Sequence, residues 1–361
     1  MHMNRFLKIL FLVFATILIT GPAQSQYASK RVKSKFEAYT DSLKNINYDR
    51  VFPFWGAKAY KRGIDIPFPI GFMANYFWVD QGIDINNFQL GFENAYDGLL
   101  DFPLQLLSDS IIDFGNNSNR SWSFNVRPDL WIFPFIDLYG IFGYGQSKTT
   151  IEVNAFQYST NPIQFTSVVD QGITTYGAGV LLAGGVGPVW ISMDNNITWN
   201  KPELLEEATM AWVMGLRMGK LFRFRNKPQS NLSFWAGTMY LSMQSETVGA
   251  IALRDAIPDF DNTKQKLIQD LEDKKGETGI IGDKLIDRLI EEIEQRNGES
   301  EVAYAMDKKA RKPWNALVGM QYQINKTWQF RAEGGLGDRM SLLLSLNYRF
   351  MGFKKNKRIP N

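Results

Sequence analysis

Residues 341–350 (SLLLSLNYRF) alternate with a period of two. Leu342, Leu344, Leu346, Tyr348 and Phe350 fall on one side, while Ser341, Ser345, Asn347 and Arg349 fall on the other. Leu343 is the one apolar residue in the wet set. Successive side chains of an extended strand point to opposite faces, so this order fits a strand with one oily and one wet face. An oily face that ends in aromatics suits a strand with lipid outside and water within, as in a transmembrane β-barrel. A strand of a soluble sandwich alternates in the same way, so the stretch alone leaves both open.

The start of the chain bears on the compartment. Arg5 and Lys8 precede an apolar run at 9–19, and Ala23-Gln24-Ser25 has the small-x-small form of a cleavage site. Residues 1–25 therefore read as a secretory signal peptide, too short to be a membrane-spanning helix. Among later residues no run approaches the roughly 18 apolar residues that such a helix needs, so any later insertion must use strands. The chain has no Cys, which excludes a lipid-anchored lipoprotein, and its single His is His2, inside the signal. A mature chain without His lacks Ser-His-Asp and Cys-His catalysis and the usual zinc ligand sets. No catalytic constellation, cofactor or metal site is expected, and the chain is not read as an enzyme. The net charge of +3 gives no reason to expect nucleic acid. Hydrophobic residues reach 45% and aromatics 14%, yet mean hydropathy is −0.23. Alternation reconciles these values, and the aromatics suit interfacial girdles.

Further alternating segments lie at 70–79, 83–92, 122–132, 136–147, 172–183, 188–199, 208–221, 231–245, 314–324 and 328–334. In the clearest, Trp122, Phe124, Val126, Leu130 and Ile132 oppose Ser123, Asn125, Arg127 and Asp129. With 341–350 these make eleven strands, separated at Gly82 and elsewhere by turn residues. Single-chain bacterial barrels have even strand numbers, so a twelfth is expected near 51–61. The predicted fold is all-β: a transmembrane antiparallel up-and-down barrel of about twelve strands over 51–350. A polar arm at 26–50, with a helix around 36–43, precedes it, and a basic tail at 351–361 follows. Strand parity puts the turns at 220–227 and 325–326 in the periplasm and the loops at 154–171, 200–207 and 246–311 outside.

Residues 255–300 interrupt the rhythm. Segments 264–275 and 281–296 have helical periodicity, so a helical hairpin is expected as an extracellular cap, a lumen plug or a partner-binding arm. Asp255, Asp259 and Asp261 lack the EF-hand spacing and read as a solvated acidic loop.

The stretch RPDLWIFPFIDLYGIFGYG (127–145) and the final YRF resemble a widespread group of uncharacterised bacterial outer-membrane barrel proteins. The shared elements are Pro69-Ile70-Gly71, Asp129-Leu130-Trp131, Pro134-Phe135, Tyr139-Gly140 and Gly143-Tyr144. Residues 341–350 also resemble the C-terminal assembly signal of such proteins, although that signal normally ends the chain and eleven residues follow Phe350 here. The resemblance implies the fold, the outer-membrane location, the surrounding lipid bilayer and recognition of 341–350 by the barrel-assembly machinery. It implies no reaction.

The wet faces carry Arg127, Asp129, Asp137, Asp194, Arg217, Arg331, Glu333 and Arg349, the candidate lumen-lining residues. They serve either to pair across a narrow barrel or to form a track for a small solute. The expected function is a passive, porin-like channel for small polar or amphiphilic solutes. The alternative is a structural or surface-display protein with an occluded barrel.

Overall fold

A computed structural model describes residues 35–93, 100–106, 112–155, 163–204, 208–243, 246–256, 259–276 and 279–355. The expected signal peptide, the first part of the arm and the end of the tail lie outside them. The strands are β1 (Ile70–Glu93), β2 (Leu100–Leu106), β3 (Ile112–Phe114), β4 (Ser118–Phe133), β5 (Ile136–Ala155), β6 (Ile163–Val186) and β7 (Val189–Pro202). They continue with β8 (Thr209–Phe224), β9 (Lys227–Met243), β10 (Glu246–Ala252), β11 (Glu301–Ala310), β12 (Trp314–Gln323), β13 (Trp328–Leu336) and β14 (Arg339–Phe350).

Ten of these close into an antiparallel barrel in the order β1, β4, β5, β6, β7, β8, β9, β12, β13, β14. Closure occurs on β1, which pairs with β14 from Ile70↔Phe350 to Gln81↔Arg339 and with β4 from Ile70↔Leu130 to Gly82↔Ser118. Two corrections bring the expected twelve strands to ten. Gly82 is not a turn, because β1 runs through it unbroken. The supposed strand at 51–61 contains instead the helix Gly56–Lys61. Parity survives both changes, because one merger and one deletion remove two strands.

The outward set is exposed around the ring: Phe124, Phe142, Leu216, Met218, Phe330 and Leu344 are all open to the surroundings. Such a belt is far larger than the apolar patches that soluble proteins tolerate. Closure leaves no strand edge unpaired, which is the condition for strands to cross lipid. Together these properties define a transmembrane barrel. Short turns gather at one end, at Pro134, Gly187 and 225–226, while the long connections gather at the other.

Beyond the long-loop rim, the upper half of β1 pairs with β11 and β2, and β10 adds to β11. Ile85, Ile151 and Met306, with Phe88 and Phe114, form a small core there. The expected helical hairpin is present as α4 (Phe260–Glu272) and α5 (Gly279–Gln295), preceded by α3 (Leu253–Ala256). (The helices nearer the N-terminus are α1, Lys35–Lys44, and α2, Gly56–Lys61.) The insertion builds its own core from Leu253, Phe260, Ile268, Leu271, Ile286, Ile290, Ile293 and Val302. Asp261 is not a loose acid: its carboxylate accepts from Gly298 N at 2.9 Å.

The N-terminal segment folds against the short-turn end. Leu43 of α1 and Ala59 and Tyr60 of α2 pack with Ile66, flanked by Tyr39 and Tyr48. Backbone bonds fasten the segment to the rim and tail: Phe54 N to Ile132 O at 2.7 Å, Val51 N to Phe353 O at 3.0 Å and Lys355 N to Asp49 O at 2.7 Å. The described part of the expected arm, with its helix at Lys35–Lys44, is thus docked against the barrel.

Candidate functional site: the barrel lumen

Inward-facing residues enclose a cavity of about 590 Å³. It extends from Asp65, Ile66 and Lys326 at the short-turn end to Gln81, Arg339 and Ser341 near the other. Among the described residues, none from 253–300 lines it, so the insertion does not plug this cavity. The N-terminal segment does contribute, through Phe36, Asp65, Ile66 and Pro67.

All eight charged residues named from the sequence line the cavity, and the structure divides them into two groups. In the first, Arg217 on β8 reaches across to Glu333 on β13, with Nε to Oε2 at 2.6 Å and Nη2 to Oε1 at 2.8 Å. Arg217 also binds Asp194 on β7. Arg331 donates to Glu333 at 2.7 Å, and Trp235 Nε1 does so at 2.8 Å. Glu333 thereby collects donors from three side chains. Charge-assisted bonds of this kind offset the large cost of removing ions from water. Gly319 is the register partner of Trp235, and a Cβ there would overlap the indole. The glycine makes room for the ring that buttresses Glu333.

The second group lies nearer the short-turn end. Arg349 on β14 donates to Asp129 on β4 at 2.5 Å and to Phe68 O at 2.9 Å. Gly71 on β1 is the register partner of both, and a Cβ there would strike the carboxylate. Asp137 sits diagonally from Asp129, since Asp129 pairs with Tyr139 and Trp131 with Asp137. Arg127 makes no ion pair among the described residues; its guanidinium lies 5.4 Å from the centroid of the Tyr139 ring.

An ion-pair latch sits at the short-turn end. Lys326, in the turn between β12 and β13, meets Asp65 at 2.5 Å and lies within 6 Å of the Tyr39, Tyr60 and Phe68 ring centroids. Tyr39 donates to Asp65 at 3.0 Å. Burial works against the Lys326 charge, yet the Asp65 carboxylate and the Tyr60 and Tyr39 hydroxyls lift the ammonium above its usual range. Burial and Asp65 push the Tyr39 phenol up to about 12.

Selecting charged residues missed the amides and aromatics of the lumen. Asn231, Gln321, Gln323, Gln329, Trp131, Trp190 and Trp235 all line the cavity. Their signal was parity: each occupies the inward register of its strand. Lys326 and Asp65 lie outside any alternating run and carried no such signal.

No family model and no curated protein sequence matches the chain. Among solved structures it is similar to the β domain of the Bordetella autotransporter BrkA, at 10% identity and TM-score 0.29 over 78% of this chain and 100% of that one. The translocator domain of NalP from Neisseria meningitidis gives 10% identity and TM-score 0.29 over 88% and 94%. The Ralstonia pickettii toluene transporter TbuX gives 8% and 0.26 over 78% and 90%. At these scores the likenesses add nothing to what the closed ring of strands itself establishes. The family suggested by 127–145 has no matching model behind it.

Proposed function

We propose that the chain is an outer-membrane channel that passes small polar or amphiphilic solutes, gated at its periplasmic end by the N-terminal segment. The observation that carries this reading is the cavity along the lumen, whose lining mixes charged and amide side chains with apolar ones such as Phe77, Met239 and Leu317. Short turns face the periplasm and long loops the exterior, as is usual for such barrels. Residues 341–350 serve as the closing strand that the assembly machinery recognises, and the ion pairs hold the wall while leaving a wet path. No chemical step is assigned to the lumen. The test is conductance of the full chain in planar bilayers: discrete steps are expected, and a membrane that stays sealed overturns the channel. A second reading, surface display on an occluded barrel, draws on the separate core of α3–α5. It requires a partner captured by the full chain and lost on excising 255–299.

A further inference from the structure

We propose that one wall of the lumen binds an uncharged polyhydroxylated solute, of the sugar class. This deepens the channel reading and rests on it. Two successive inward register rows build the wall. One runs Ser233, Gln321, Arg331, Ser345, Asn75, Asn125 across β9, β12, β13, β14, β1 and β4. The next carries Asn231, Gln323, Gln329, Asn347 and Arg127 on the same strands, with Met73 between the last two. Six carboxamides of these rows line the cavity: Asn125, Asn231, Gln321, Gln323, Gln329 and Asn347.

Part of the wall is bonded within itself, Gln329 donating to Gln323 at 3.3 Å, Gln323 to Gln229 O at 2.8 Å and Asn75 to Asn125 at 2.8 Å, and part is not. Asn347 is buried, yet its Oδ1 has no partner, and neither has the Nε of Arg127 or of Arg331. Both kinds of unmet group thus occur in the wall: the Nε of Arg331 on β13 and of Arg127 on β4 flank the Oδ1 of Asn347 on β14 and of Asn75 on β1. A carboxylate answers only the donors and an ammonium only the acceptors, whereas a hydroxyl is both at once. Of the two guanidiniums in these rows, Arg331 pairs with Glu333 at 2.7 Å and Arg127 lies 5.4 Å from the centroid of the Tyr139 ring, so a charged probe is the decisive control. Trp131 and Trp190 place aromatic surface elsewhere on the cavity lining, which suits the C–H face of a sugar ring. The volume of about 590 Å³ lies within the range of roughly 300–1,000 Å³ for small-molecule sites.

Calorimetric titration and tryptophan quenching on the purified full chain test this, with maltotriose as the neutral probe and gluconate and choline as charged ones. Maltotriose is expected to bind roughly tenfold more tightly than either charged probe, a difference of about 1.4 kcal/mol. Asn347→Leu and Gln321→Leu should each weaken maltotriose roughly tenfold. The milder Asn347→Ser, which keeps a donor and acceptor, should weaken it less if Asn347→Leu misfolds. Equal or tighter binding of gluconate or choline, or no response to maltotriose, overturns the proposal. Conductance without maltotriose binding leaves the channel standing and removes the sugar site. Maltotriose binding without conductance supports the site and removes the channel.

Discussion

Arg217 is the most heavily committed cation of the lumen, because Asp194 and Glu333 both depend on it. Removing one partner of a buried network leaves an uncompensated charge, at a cost of about 3–5 kcal/mol. Arg217→Met is therefore expected to lower the urea midpoint of the detergent-solubilised barrel sharply. Arg217→Met combined with Asp194→Asn should recover much of the loss, since Glu333 keeps Arg331 at 2.7 Å and no carboxylate then remains unpaired. Equal destabilisation of the single and double variants would show that the network contributes packing rather than charge compensation. Lys308, on β11 beyond the rim, behaves in the opposite way. Burial lowers its ammonium to about 8, against roughly 10.4 in an unfolded chain. Between those values the unfolded state binds more protons, so the stability of the extension rises as pH climbs through this window and is flat below it. Amide exchange of β11, corrected for its intrinsic pH dependence, is expected to slow from about pH 8 towards about 10, and Lys308→Met should abolish the trend. At this scale the eight lumen charges were legible because parity alone turns a strand residue inward. Their partners were not: nothing local to Arg217 says that Glu333, over a hundred positions away, will stand opposite it.

Among the elements, β14 was readable residue by residue, and Leu343, its apolar exception, does line the lumen. The error at Gly82 has a physical cause. β1 pairs with β14 up to Gln81 and with β11 from Ile83, so its neighbour changes at the glycine while the strand itself continues. The missed helix at Gly56–Lys61 is six residues long and too short to show a period. Its docking depends on tertiary partners, above all the Asp65–Lys326 latch. A raised lysine keeps its contribution below its unfolded pKa and loses it only as pH rises through the folded value, so the latch should hold throughout neutral pH. Lys326→Met breaks it without disturbing the ladder, because Lys326 lies between two strands. Single-channel recording of this variant is expected to show a larger or more frequently open conductance, with faster proteolysis of residues 35–66. Unchanged conductance and cleavage would mean that the rim hydrogen bonds alone hold the segment.

For the molecule as a whole, the barrel and the helical insertion are built on separate cores. The insertion's apolar cluster draws on 253–302, while the barrel's wall turns its apolar set to lipid and a mixed set of charged, amide and apolar side chains to the lumen. Their junction is a hairpin: Ala252 pairs with Glu301, and Leu253 N donates to Ser300 O at 2.9 Å. The ends of the insertion therefore lie side by side, and a short turn can replace it without stretching β10 or β11. Loop shortening of this kind costs little in closure entropy. A chain with 254–299 replaced by Asn-Gly, the favoured two-residue hairpin turn, is expected to keep its heat-resistant, compact barrel on gels and its ion conductance. If conductance rises instead, the helices cover the mouth and act as a cap. If the barrel fails to assemble, barrel and insertion are coupled during folding, with the packing of α3 on β6 the contact between them.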